Sequence, residues 1–342
     1  MRLSTAPGQL LRKLSRSSLP FDMFDAARSD AEARRARKME SIYHVGQNRI
    51  WDGREVLAEL IAKHGPPRLS NDKARALAKV FAIIMWGELA AWKISAQLAD
   101  ALEPLEAKLA ATSQAHDEAR HFYVMHDYLD ALGQKAEPMG FWSQRVLELT
   151  LGTPDLVKKL LGMQLTVETI ALVIFQRVRE IGVEPVLTDL LPYYERDEAR
   201  HVGLGVQLVP QMMEKLSLPG LLDVALFQLD MLSTTIVALK AIEPDLVTLG
   251  VDPRSMLGLA FRKQSEIDTA IKKEFPLWPE DPPVRRMFEG LCEVLFPSEG
   301  HGARVPMALR VQHGLQVVAR TRTSVVEQWG VHGDKARTAH AA

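Results

Sequence analysis

Two identical pentapeptides, Asp-Glu-Ala-Arg-His, stand at Asp117–His121 and Asp197–His201 of this 342-residue chain, 80 positions apart. Each sets a glutamate and a histidine three residues apart, Glu118 with His121 and Glu198 with His201. Side chains at i and i+3 share one face of a helix, so such a pair can hold one cation together. A further glutamate precedes each pair by 30 positions, Glu88 before Glu118 and Glu168 before Glu198. With 43 acidic residues and 10 histidines in the chain, chance supplies roughly one acid-x-x-His. It does not supply two identical pentapeptides with matched upstream glutamates.

The neighbours of these acids argue for burial. Glu88 lies in FAIIMWGELAAW and Glu168 in LTVETIALVIF. A carboxylate in such a stretch is costly unless its charge is compensated. Four glutamates carry four negative charges, and two divalent cations neutralise them without a buried lysine. Carboxylates with imidazoles suit iron or manganese, and the absence of thiolate ligands argues against zinc or an iron–sulfur cluster. Cys292 is the single cysteine, which excludes an intrachain disulfide and a cysteine-based zinc site.

The elements that must position these residues are helices. Apolar residues recur at helical spacing almost throughout, and alternating β-branched runs are nearly absent, so the expected class is all-α. A helix is expected from Asn71 to Leu102, with Asn71 or Asp72 as N-cap, and a second from Leu105 to Leu132, stopped by Gly133. Others are expected over Phe141–Leu151, from Thr153-Pro154 to Gly182, and from Glu184-Pro185 to about Leu216. Pro192 should kink the last of these or mark a bulge. The turn at Glu103-Pro104 falls midway between Glu88 and Glu118, and Val183 falls midway between Glu168 and Glu198. Each pair is therefore a helical hairpin with its acids level, about 22 Å from the turn. Further helices are expected over Leu221–Ile242, Ser255–Phe275 and Val284–Leu295, with a proline-rich connection at Phe275–Pro283.

The organisation expected is an N-terminal arm with short helices over 1–70, a four-helix bundle over 71–216, and additional helices packed on it over 217–297. A weakly structured segment over 298–342 completes it. Lys+Arg (42) and Asp+Glu (43) balance to a net charge of −1, which gives no reason to expect nucleic acid as a partner. No stretch reads as a membrane span; the longest apolar candidate, Leu222–Leu239, carries Asp223, Gln228 and Asp230. The N-terminus lacks the apolar core of a secretory signal, and the expected location is the cytoplasm.

Two copies of Glu…Glu-x-x-His on four helices resemble the ferritin-like di-iron carboxylate superfamily. Within it, the pentapeptides resemble the Asp-Glu-x-Arg-His motifs of bacterial multicomponent monooxygenase hydroxylases and of ribonucleotide reductase small subunits. The resemblance covers residues 70–215 and implies a ferritin-like four-helix bundle holding two iron ions, or manganese with iron. It implies that Glu118 and Glu198 bridge the metals, that Glu88 and His121 complete one and Glu168 and His201 the other. Asp117 and Asp197 would each orient the histidine of the opposite motif, with Arg120 and Arg200 pairing with them. The chain departs from the reductase subunits where Met125 stands at the position of their radical tyrosine. It departs from arylamine oxygenases where Tyr194 replaces a histidine. The activity implied is that of an O2-activating oxidase or monooxygenase acting on a partly apolar small molecule, with O2 as co-substrate. An external electron donor, a ferredoxin or reductase, is implied, as is a homodimer. A ferroxidase or metal-handling protein, and an acyl desaturase, are the alternatives. Residues one turn from the ligands, Ile84, Trp92, Phe122, Leu172 and Phe175, are candidate pocket walls. Tyr194, one turn before Glu198, is the candidate catalytic side chain, and Gln114 and Gln164 are candidate polar neighbours.

Overall fold

The computed structural model describes residues 37–274, 283–297 and 305–331, without the side chains of Lys38 and Glu274. The expected connection at Phe275–Pro283 lies almost wholly outside the described residues. Two short helices, α1 (Arg37–Asn48) and α2 (Gly53–His64), precede the bundle. Asp52 caps α2 by accepting from the backbone N–H of Arg54 and Glu55. The long helices α3 (Asn71–Ala101) and α4 (Leu105–Ala131) form the first hairpin. Ser70, rather than Asn71 or Asp72, stands at the cap position of α3. Gly133, in the left-handed region at φ 71°, follows α4. After α5 (Phe141–Gly152), the second hairpin begins with α6 (Leu156–Leu160), continues through a π-helical segment (Leu161–Val167) into α7 (Glu168–Ile181), and returns as α8 (Pro185–Met213).

Local sequence explains the second turn. Gly182 ends α7 at φ 65°, a conformation that costs glycine little. Glu184 then caps α8 by accepting from the N–H of Leu187, with Pro185 at the first helical position, where no N–H is needed. The irregularity expected at Pro192 does not fall there: α8 continues as α-helix through Pro192 and Pro210. It falls at 161–167 instead. Each i→i+5 hydrogen bond takes up an extra residue, so the π segment resets the facing of everything that follows, beginning with Glu168.

Two apolar cores flank the middle of the bundle. One contains Phe81, Met125, Tyr128, Phe175 and Leu190; the other contains Ile94, Leu98, Ala110, Met163 and Leu208. Along α3, residues 77–85 serve the first core and 90–98 the second, and Glu88 lies between. The same order, reversed in α4, brackets Glu118 and His121, so the candidate ligands sit between two packed layers.

Beyond the bundle come α9 (Leu218–Ala241), α10 (Glu243–Leu249), α11 (Pro253–Glu274), α12 (Pro283–Leu295) and α13 (Met307–Val318). The last of these is a helix within 298–342, where the sequence suggests weak structure; it packs against α12 through close approach of Gly290 and Gly314. By length and composition alone α9 could cross a membrane. In the fold it packs along α5 and α12. Among the described residues there is no strand, and the architecture is an all-α, ferritin-like bundle with added helices.

Candidate metal centre

Four helices bring the six expected side chains to one place. Glu88 comes from α3, Glu118 and His121 from α4, Glu168 from the first turn of α7, and Glu198 and His201 from α8; all six are buried. Ligand atoms of Glu88, Glu118, His121 and Glu198 lie within 4.8 Å of one another, and so do those of Glu118, Glu168, Glu198 and His201. Glu118 and Glu198 belong to both groups. Each histidine turns Nδ1 toward the carboxylates: His121 Nδ1 is 3.1 Å from Glu198 and 3.4 Å from Glu88 and Glu118, and His201 Nδ1 is 2.8 Å from Glu198 and 3.2 Å from Glu118.

The residues present fit a pair of cations. Glu118 Oε2 and Glu198 Oε1 are buried and lie 3.4 and 3.1 Å from the buried His121 Nδ1, yet none of the three makes a well-aligned hydrogen bond. Each such atom costs about 1–3 kcal/mol unless something coordinates it. Burial and the neighbouring carboxylates raise the pKa of Glu88 and Glu168 well above the usual carboxylate range. Burial disfavours charge on His201, yet Glu118, Glu198 and Asp117 outweigh it and push its pKa up to about 10. His121 is raised in the same way, against burial, by Asp197 and the three nearest glutamates. Glu198 is held low despite burial by the two histidines. Without cations, then, the cluster keeps protons that a metal pair would displace.

The other ring nitrogen of each histidine meets the aspartate of the opposite motif. His121 Nε2 is 3.3 Å from Asp197 Oδ2, and His201 Nε2 is 3.4 Å from Asp117 Oδ2. Arg120 donates to Asp117 at 2.6 Å and to Asp197 at 2.9 Å; Arg200 donates to Asp197 at 2.8 Å and also to Asp117. The two motifs thus interlock as a closed square of two aspartates and two arginines behind the histidines. Burial opposes charge on both aspartates, but the histidines and Arg200 hold them below the usual range. Gln114 spans the hairpins, donating to Glu118 at 2.8 Å and to Glu168 at 3.0 Å, and Gln164 donates to Gln114 at 3.3 Å. Tyr194 is fully buried beside His121, ring centroids 4.5 Å apart, and its hydroxyl donates to the His121 carbonyl at 2.8 Å.

Trp51, just before α2, belongs to this network and was not legible as such. Its indole N–H donates to Asp197 Oδ2 at 2.8 Å, and Arg120 lies 4.8 Å over its ring. The available signal was a lone tryptophan in a polar stretch, Gln47 to Gly53. Gly53 lets α2 approach α4, since a Cβ there would fall 2.0 Å from Val124 Cγ2.

An apolar cavity of about 730 Å³ reaches the cluster at Glu88 and Glu168. Of the five expected pocket walls, only Ile84 lines it. Trp92 is 46% exposed, Phe122 packs at the edge of the core beside Tyr123, Leu172 is buried in the second core, and Phe175 packs against Phe81 and Tyr194. Residues one turn from a ligand do not share one facing: Ile84, Ala91, Leu165 and Ala171 line the cavity, whereas Trp92 and Leu172 do not. The cavity lies instead on the flank, between α3 and the π segment, closed by Val224 and Leu232 of α9 and Phe261 of α11.

Fold and site together define an all-α, ferritin-like bundle with a buried carboxylate–histidine cluster able to hold two metal ions. No family model matches the chain, and no curated protein does. Among solved structures, the chain is similar to R2-like ligand-binding oxidases. One variant with an aerobically reconstituted Mn/Fe cofactor is 13% identical, with 85% of this chain and 93% of that one covered and a TM-score of 0.43. Another, with an anaerobically reconstituted Mn/Fe cofactor, is 15% identical, with 82% and 90% covered and a TM-score of 0.43.

Proposed function

We propose that this chain is an O2-activating oxidase or monooxygenase that uses two iron ions, or manganese with iron, to oxidise a partly apolar organic molecule. The observation that carries the reading is the apolar cavity ending on Glu88 and Glu168 of the six-residue cluster. A ferroxidase needs access for hydrated Fe(II), and an apolar chamber of this size beside the cluster serves no such purpose. Glu118 and Glu198 would be shared by both cations, with Glu88 and His121 on one and Glu168 and His201 on the other. When bound, such a pair supplies electrons to O2 and so an oxidant able to attack unactivated C–H bonds.

The protein's own side chains have separable tasks in this reading. Asp197 and Asp117 accept from the Nε2 atoms of His121 and His201, which leaves each Nδ1 unprotonated toward the cations. Gln114 ties Glu118 to Glu168 and limits how far either carboxylate swings. The cavity walls keep water away from the reacting centre and hold the substrate against it. Tyr194, committed to the His121 carbonyl, fixes the histidine's backbone; that is the role proposed for it in place of proton or electron transfer to substrate. The chain carries no flavin or iron–sulfur motif, so electrons come from a separate donor.

The test is anaerobic loading with Fe(II), followed by O2 with and without a chemical reductant. Uptake of about two irons per chain, with O2 consumption sustained only by the reductant, supports the reading. Sustained oxidation of many Fe(II) equivalents without reductant would replace it with iron handling.

A further inference from the structure

We infer that the substrate is a neutral, mainly apolar molecule with one hydrogen-bonding group, and that the Thr169 hydroxyl receives that group beside Glu168. The inference rests on the oxidase reading and deepens it. Thr169 lines the cavity, is 5% exposed, and its Oγ1 has no hydrogen-bond partner. A helical threonine ordinarily satisfies its hydroxyl on a carbonyl one turn back. Thr166, in the π segment, does so by donating to Leu161, whereas Thr169 does not. A buried, unpaired hydroxyl on a residue that lines an apolar chamber is costly unless a ligand completes it. A second hydroxyl on the same lining, Thr235 of α9, is also buried and unpartnered.

The charge of the lining gives the other half of the argument. Among the described lining residues Arg285 is the one cation. Its guanidinium is already engaged by Glu327, by Ser265 at 3.0 Å, by Glu289 at 3.4 Å and by Asp268 at 3.8 Å. A pair of divalent cations at the cluster would be balanced by its four glutamates. An anionic substrate therefore gains no unpaired positive partner and would face Glu88 and Glu168. A neutral hydroxyl, carbonyl or amide gains the Thr169 hydroxyl as donor or acceptor at no electrostatic cost.

The experiment uses the iron-loaded full chain under anaerobic conditions and the apolar fluorophore N-phenyl-naphthylamine as cavity probe. Its displacement is measured with para-propylphenol, para-propyltoluene and para-propylbenzoate, which differ in one group. The phenol is expected to bind roughly two- to tenfold more tightly than the toluene, the worth of one neutral hydrogen bond. Thr169→Val should erase that ratio and Thr169→Ser keep it, with iron content unchanged; if Thr169→Val fails to load iron, Thr169→Ala takes its place. Equal binding of phenol and toluene, or a ratio that survives loss of the hydroxyl, overturns the inference while the oxidase reading stands. Tighter binding of the benzoate overturns the neutral class. Failure of the wild-type chain to take up two irons defeats the oxidase reading itself.

Discussion

Loading the cluster with metal should expel protons, and the structure sets how many. Coordination requires four ionised carboxylates and two imidazoles free at Nδ1. Without cations, His201 titrates near 10, because Glu118 and Glu198 outweigh its burial, and His121 is raised likewise. Both rings therefore carry an extra proton at neutral pH. Burial and their neighbours also hold Glu88 and Glu168 well above the usual carboxylate range, which adds up to one proton from each. Two divalent cations should thus release about two to four protons at pH 7. The affinity for the pair should rise by about two to four orders of magnitude per pH unit near neutrality, one order for each proton. Titration calorimetry with Mn(II), repeated in buffers of different ionisation enthalpy, reads the proton count directly. Release of fewer than one proton per cation would refute the reasoning, since the histidines would then be neutral before metal arrives.

Three further outcomes follow from named contacts. The metal-free protein should lose stability as pH rises: the raised histidine pKa values favour the folded state fully below about 6.5, and for His201 that contribution is gone once pH passes about 10. Thermal melts across this range check it, and the metal-loaded protein should show a weaker trend. Glu118→Ala and Glu198→Ala should each abolish paired-metal binding, because each carboxylate belongs to both ligand groups; metal analysis showing two cations in either variant contradicts the sharing. Trp51→Phe removes a buried hydrogen bond to a charged acceptor and should destabilise the fold by about 1.5–3 kcal/mol in denaturant unfolding while leaving metal content unchanged.

The candidate ligands were legible because their information is local. A helix repeats every 3.6 residues, so Glu and His three apart must share a face, and turn residues at equal distance from two acids must bring those acids level. The same rules gave the hairpin turns at Pro104 and Gly182. They misplaced the bulge, since proline within α8 is accommodated, while the widened turn at 161–167 carries no marker such as proline. Four of the five candidate pocket walls lie away from the cavity that reaches Glu88 and Glu168.

What the chain dictates by itself is a helical frame with two matched sets of acids and histidines on apolar stretches, and hence a centre that requires compensation of buried charge. Packing alone decided the rest. Asp197 meets His121 across 76 positions, Trp51 reaches Asp197 across 146, and α9, α11 and α12 close the cavity over Glu88 and Glu168. Such contacts depend on how helices far apart in the chain are rotated and stacked. Rotation is settled by the fit of whole side-chain surfaces, a collective property that no short window of residues encodes.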